Sequence, residues 1–343
     1  MKKKEIKVLC VGSMGKDIFF PVDTGTVIET VSNSHVEKQF CFGYGSKVHV
    51  DDRFVALGGC ACNVSIGLSR LGIDARALGN IGDDADGQWI VDVLKKEEVD
   101  ISAIRKIIKS KTDISVILID ASTGERTIFV NRDVGEKLVF TEKDLKKVDW
   151  CFIGSLYGDS VGDNMHVLHD AIMQGKIKLA YNPGAYNIAQ DENIVLDLIH
   201  HANVVFTNKS EACDIISYFD LDLEEADFAD EKMLIETLLL HMKSDDSIAV
   251  VTDGRRGAWA GDKRGIYHVS TIEKKVHDAT GAGDAFASGF LGALFREDTI
   301  DKCIQCGSAN GDAVVDYYGA QEGLLTYGTM KDKLHLFDVR KIK

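Results

Sequence analysis

Three features coincide in the stretch Asp278-Ala-Thr-Gly-Ala-Gly-Asp284-Ala-Phe-Ala-Ser-Gly-Phe290. Gly281-Ala282-Gly283 carries no bulky side chain, so a ligand and the backbone can approach closely there. From Asp284 onward the residues are small and apolar (Ala285, Phe286, Ala287, Phe290, Leu291, Ala293, Leu294), the pattern of a helix packed tightly on a sheet. The first N–H groups of such a helix have no intrahelical partner and sit at its positive dipole end, which suits an anion such as phosphate. Asp284 stands inside this anion site, where a carboxylate would repel phosphate. Two explanations are open: an ordinary first-turn acid that complements the helix dipole, or a base that takes the proton of a hydroxyl attacking the phosphate.

A chain of 343 residues can bury a large core. Its 40 Lys and Arg against 54 Asp and Glu give a net charge of −14, which argues against nucleic acid or an anionic membrane as the main partner. Eight cysteines lie in and near apolar stretches, and Cys303-x-x-Cys306 lacks the second pair of a zinc finger, so structural thiols are expected. The basic start is followed by only a short apolar run, Val8 to Val11, and no stretch approaches the ~20 apolar residues of a membrane span. A cytoplasmic, reduced protein is expected. No internal repeat, low-complexity tract or linker divides the chain.

Earlier in the chain, residues 6–12 read as a strand ending in glycine, which places Asp17 where ligands gather in an open α/β sheet. Residues 27–31, 36–42 and 47–50 read as short antiparallel strands of an appended sheet. Gly58-Gly59-Cys-Ala-Cys-Asn63 then opens a helix closed by Gly72. Its glycines let a substrate lie against backbone, and Asn63 offers a donor and an acceptor to hydroxyls. Residues 114–120 and 125–130 form a hairpin by pattern, with Asn131 and Arg132 either touching substrate or simply solvated. The strands at 150–154, 178–182, 203–208 and 248–252 each end in a polar tip, as in a mostly parallel sheet covered by helices on both faces. At one such tip, Asn208 and Glu211 share a helix face. They suit either hydrated Mg²⁺ or a capping box. Thr252-Asp-Gly254-Arg-Arg-Gly257 follows as a glycine-rich hairpin.

Asp-x-Thr-Gly-Ala-Gly-Asp, the earlier Gly-Gly-x-x-x-Asn at 58–63, and the order of the segments between them resemble the ribokinase-like (PfkB) carbohydrate kinases over nearly the whole chain. The resemblance implies a three-layer α/β sandwich with a mostly parallel central sheet. This is one kinase domain over 1–343, with a β lid at about 20–56 that often also forms a homodimer contact. It implies ATP and Mg²⁺, and a sugar or nucleoside that accepts the γ-phosphoryl group on a hydroxymethyl. Asp284 becomes the base, with Gly281, Ala282 and Gly283 lining the anion hole. Asp17, Gly58, Gly59 and Asn63 hold the acceptor. Asn208, Thr252, Gly254, Gly257 and Asn310 line the nucleotide, and Glu211 organises Mg²⁺ through water. Asp278 and Thr280, with the loop at Gly319-Ala-Gln321, imply a monovalent cation, potassium.

Two readings compete. Gly281-x-Gly283-x-x-Phe286 partly imitates a dinucleotide fingerprint, but Phe286 stands where a small residue is required, far from the first βα unit. A silent sugar- or nucleoside-binding module is the other. The form Gly58-Gly-Cys-Ala-Cys-Asn63 is nearer to fructokinase-like relatives and broad-specificity nucleoside kinases than to ribokinases proper. Phe40, Phe42 and Tyr44 would stack on a base, pack the lid or meet a second copy.

Overall fold

A computed structural model describes residues 6–32, 35–123, 125–219, 221 and 227–343. The first half of the chain supplies β1 (Lys7–Val11), β2 (Gly15–Val22), β3 (Thr26–Ser32), β4 (His35–Cys41) and β5 (Phe54–Gly58). These are followed by α1 (Cys60–Arg70), β6 (Asp74–Leu78), β7 (Asn80–Gly82) and α2 (Ala85–Lys96). Next come β8 (Arg105–Ile107), β9 (Asp113–Asp120), β10 (Arg126–Asn131) and β11 (Trp150–Ile153). The alternation proper continues with α3 (Val161–Met173), β12 (Lys178–Tyr181), α4 (Gly184–Gln190), α5 (Glu192–His201) and β13 (Val204–Asn208). Then follow α6 (Lys209–Ser217), α7 (Glu231–His241), β14 (Ile248–Thr252), β15 (Ala258–Asp262) and β16 (Gly265–Val269). The chain closes with α8 (Ala282–Leu294), α9 (Ile300–Val314), α10 (Tyr327–Lys333) and β17 (Val339–Lys341).

The large sheet runs β17-β16-β15-β14-β13-β12-β11-β1-β6. The six strands from β14 to β6 are parallel, and β15, β16 and β17 join antiparallel. Strand residues alternate between its faces. Leu9, Val11, Cys151 and Ile153 meet Met165, Leu168, Leu198 and Ile215 of α3, α5 and α6. Val8, Cys10 and Phe152 meet Val64, Phe286, Phe290 and Ile304 of α1, α8 and α9. Burying both faces makes the three layers expected from the sequence.

The second sheet, ordered β10-β9-β2-β5, differs from the expected lid. It draws on residues 15–22 and 54–58 and on the hairpin at 113–131, so it is not contained within 20–56. Thr26–Ser32 and His35–Cys41 pair as a separate two-stranded antiparallel sheet, and Lys47 to Val50 form no strand. The segment holding Asp17 is itself a strand, parallel to β9 and antiparallel to β5. Phe19, Ile117 and Ile119 on its inner face are buried with Phe54, Ala56 and Tyr318. The sheet thus rests on the loop that precedes α10.

Candidate active site

The carboxyl end of β1 sets the floor. Gly12 and Gly154, just beyond β1 and β11, have no room for a side chain: a Cβ at either would lie 2.3 Å from Cys60 Sγ. The thiol is therefore wedged between two glycines at the start of α1. Burial and the nearby Asp284 push it up to about 12, so it is an inert filler at neutral pH. Gly59, at φ +95°, lets the chain turn from β5 into α1 where any Cβ would strike the Ser13 carbonyl. Gly58 faces Asp17 so closely that an added Cβ would come within 2.4 Å of its carboxylate. Asp17, Gly58 and Gly59 therefore form one surface.

Across this floor stands the start of α8. Its N-cap is Gly281 in the left-handed region, φ +75°, with no side-chain cap. Ala282 N–H bends back to the Ala279 carbonyl at 3.3 Å. Among the described residues, the N–H groups of Gly281, Gly283 and Asp284 meet no acceptor. The space over Gly283 is open, since a Cβ there would have no neighbour within 4 Å. Free amides at a helix start facing open space form an anion cradle. Ala282 contributes its backbone shape and a small side chain, and its N–H is already engaged.

Asp284 does not close on its own helix start, as an N-capping acid would. Its Oδ2 instead accepts a 2.7 Å hydrogen bond from Asn63 Nδ2 on α1. Asn63 Oδ1 in turn accepts from Gln321, a residue expected only as part of a cation loop. The Asp284 carboxyl is ringed by protein atoms while still touched by solvent. Desolvation raises it to about 6, against the lowering pull of Asn63. Asp17 is also raised to about 6: burial dominates, a bond to Ser115 opposes it, and the charge of Asp278 adds to it. Two carboxyls raised to about 6, both close to Cys62, are suited to holding and moving protons.

Asp278 is buried, and its carboxylate accepts from Thr280 N–H and Oγ1 at 2.9 and 2.7 Å and from Gly319 N–H at 3.1 Å. This ties the approach to α8 to the loop under the second sheet. The two side chains are turned on each other, so a monovalent cation there would rest on carbonyls.

At β13 and β14, Asn208 and Thr252 are paired neighbours at the carboxyl edge. Asn208 and Glu211 make a complete capping box, with Glu211 N–H to Asn208 Oδ1 and Asn208 N–H to Glu211 Oε2, both at 2.9 Å. Burial nonetheless raises the Glu211 carboxyl, a partly uncompensated charge that a cation would offset. Gly257, at φ +101°, turns the chain where a Cβ would strike the Val269 carbonyl, and Gly254 lies in open space beside it. Of the two arginines there, Arg256 pairs with Glu231 at 2.9 Å.

Asn310 is a correction. It is wholly buried; its Nδ2 donates to Ala285 O and Ser288 Oγ, and its Oδ1 accepts from Leu325 N–H. No polar atom remains for a nucleotide. It ties α8, α9 and the following loop together.

A further wall joins the end of β10 to the loop after β11 and to α4. The Arg132 guanidinium lies 3.7 Å from the centre of the Tyr157 ring, which packs on Tyr186. Tyr157 lies close to Cys60, so this wall borders the floor set by β1 and β11. The parallel strands bring the groups beside β1 and those at β13 and β14 to one edge. Three strand spacings, about 14 Å, separate the two sets, and α8 crosses beneath both, with Phe290 against Phe206 of β13.

Comparison with known proteins bears on this geometry. The chain is 23% identical to a nucleoside kinase of Methanocaldococcus jannaschii over 338 residues, covering 97% of this chain and 98% of that one. It is 26% identical to a fructokinase of Klebsiella pneumoniae, covering 69% and 76%. Among solved structures, Arabidopsis thaliana ribokinase complexed with ribose and ATP superposes with a TM-score of 0.74 at 17% identity, covering 96% and 98%, which shows the ribokinase-like fold. The pfkB family carbohydrate kinase profile matches residues 26–326, and the chain belongs to that family, as a phosphotransferase with an alcohol group as acceptor.

Proposed function

We propose that the protein transfers the γ-phosphoryl group of ATP to a hydroxymethyl group of a sugar, with Asp284 as the general base. The observation that carries this is the uncapped, left-handed start of α8, open above Gly283, with Asp284 held off the helix by Asn63. The acceptor hydroxyl gives its proton to an Asp284 carboxylate oxygen as its own oxygen bonds to the γ-phosphorus. The bond from that phosphorus to the bridging oxygen breaks, and ADP leaves. The amides of Gly281, Gly283 and Asp284 face the charge on the transferring group. Little proton transfer is needed early in a loose transition state, so a base near 6 suffices.

Asp17, Gly58, Gly59 and Asn63 orient the acceptor. Asn208, Thr252, Gly254 and Gly257 face the nucleotide. The residues at the α6 start fit Mg²⁺ held through water, because the Asn208 amide is exposed beside the partly buried Glu211 carboxyl, whose charge a hydrated cation would offset. When bound, the ion neutralises phosphate charge. A potassium ion near Asp278 and Thr280 belongs to the same reading, as does a homodimer through the second sheet, whose exposed Val55 and Phe129, on the face away from Phe19 and Ile117, would face a second copy.

A nucleoside acceptor is the second reading. The whole-length match to a nucleoside kinase and the aromatic wall of Tyr157 and Tyr186 favour it. ADP release from Mg·ATP across sugars, sugar phosphates and nucleosides, with and without K⁺, separates the two. Turnover on one acceptor is expected to fall by about 10²–10⁴-fold in Asp284→Asn. Unchanged turnover in that variant would reject the base assignment, and silence across the panel would favour a binding protein.

A further inference from the structure

The helices α3 and α5 pack side by side on the face away from α8, and both run antiparallel to the strands. Their C-terminal ends therefore lie at the amino edge of the sheet, opposite the transfer site. His169 from α3 meets Asp197 and His201 from α5 there, with one nitrogen of each ring and a carboxylate oxygen all within 4.8 Å of one another. No other such group of three metal-ligating side chains occurs among the described residues.

His201 Nδ1 lies 2.9 Å from the Asp197 carbonyl one turn back. A carbonyl only accepts, so Nδ1 carries the proton and Nε2 the lone pair. His169 has its Nδ1 3.7 Å from Asp170 Oδ1 and its Nε2 3.5 Å from Asp197 Oδ2. Nε2 of His169 therefore faces the Asp197 carboxylate more closely than Nδ1 faces Asp170. Either a hydrogen bond or a shared cation would join this nitrogen to that carboxylate. Their 3.5 Å separation is long for a hydrogen bond. It is close to the about 3.3 Å expected of two ligand atoms bound at about 2.0–2.1 Å to one tetrahedral ion.

The surroundings agree. Side-chain exposures of 31%, 45% and 12% for His169, Asp197 and His201 leave an entry path from solvent. The last turn of α5, at its negative dipole end, favours a cation. Asp170 and the Asp197 carbonyl are placed as the outer partners that orient metal-bound imidazoles. Two imidazoles with one carboxylate select a borderline divalent ion over Mg²⁺ or Ca²⁺.

We propose that His169, Asp197 and His201 form a Zn²⁺-class site that clips α3 to α5, with water completing the coordination. The site is separate from the phosphoryl-transfer machinery and acts on stability.

The test uses full-length protein stripped with a chelator and titrated calorimetrically with Zn²⁺ in excess Mg²⁺, which occupies hard-cation sites. One Zn²⁺ per chain is expected. Binding should weaken about tenfold or more in His169→Ala and in His201→Ala, and stay unchanged in the control His335→Ala. Zn²⁺ should raise the thermal midpoint of the wild type and leave that of the double variant His169→Ala/His201→Ala unmoved. Far-ultraviolet circular dichroism and the metal-free melting midpoint establish that each variant is folded. Absence of saturable binding would overturn the proposal. So would equal binding in both histidine variants, or binding lost only when the cysteines are alkylated.

Discussion

Helices α6 and α8 begin in the same register, with an acidic residue at the third helical position: Glu211 in one, Asp284 in the other. At α6 the cap is Asn208, and cap and acid satisfy each other's N–H groups. At α8 the cap is a left-handed glycine with no side chain, and the acid turns away to Asn63. One start is closed, and its helix is stabilised locally. The other is left open, and its stability comes from packing: Phe286, Phe290 and Leu291 are buried against the sheet. An acid at the third position is therefore not diagnostic by itself. What separates a cap from a reactive carboxyl is whether a capping side chain precedes it, and whether a neighbour from elsewhere in the chain holds the acid outward.

The largest effect in this comparison is expected from Gly281→Ala. It places a Cβ on a residue at φ +75°, 2.1 Å from Ala320 Cβ, so the cradle must shift. Turnover should fall about 10²–10³-fold, the range for losing an oxyanion donor, with a stability loss of about 1–3 kcal/mol from the strained backbone. Steady-state rates beside a thermal melt separate the two. A variant that melts lower but turns over normally would show that the open amides do not act.

Next comes pH. Asp284 and Asp17 are both raised from 3.8 to about 6. Each binds its proton more tightly folded than unfolded. Its stabilising contribution is full below about pH 4 and is lost as pH rises through about 6. Activity runs the other way, because the base must be ionised: log kcat/KM should climb below pH 6 and level off above it. Asn63→Ala removes the hydrogen bond that lowers Asp284 and should move that limb to higher pH. A rate–pH profile with an unmoved limb would separate Asp284 from the titration.

Asn208→Ala should have the smallest effect, about 1 kcal/mol of stability from the lost cap. Measured against Mg²⁺ concentration, it also tests the metal assignment. Weaker Mg²⁺ dependence on top of the stability loss supports a metal role, and an unchanged Mg²⁺ curve leaves Asn208 a cap alone.

Much of this was legible in the sequence because it is local. The strands at 7–11, 150–153, 204–208 and 248–252 announce themselves as short apolar runs with polar tips, and the small residues after Gly281 mark α8. What escaped depends on distant partners. Gly15-Lys-Asp-Ile-Phe-Phe-Pro-Val22 becomes a strand because β9, about a hundred residues on, pairs with it along its whole length. Lys47-Val-His-Val50 alternates like a strand but has no strand to join. Asn310 looks like a polar group on a helix near a ligand. Only the packing of α8 on α9 shows that its amide is already satisfied. Asp197 and His201 sit one helical turn apart, a detectable signal, but nothing local brings His169 to them.

The contact between α1 and α8 also bears on how this protein can change. At Gly67 the two helices approach so closely that a Cβ would lie 2.2 Å from Ser288 Oγ. Asn63 is one turn before that contact, and Asp284 one turn before Ser288. The separation of the two helices therefore fixes the reach between amide and acid. A larger residue at 67 would wedge the helices apart and draw Asn63 off Asp284 without touching either. In this family member a packing substitution one turn from the chemistry is expected to read out as a shifted acid limb before it reads out as a lower melting temperature.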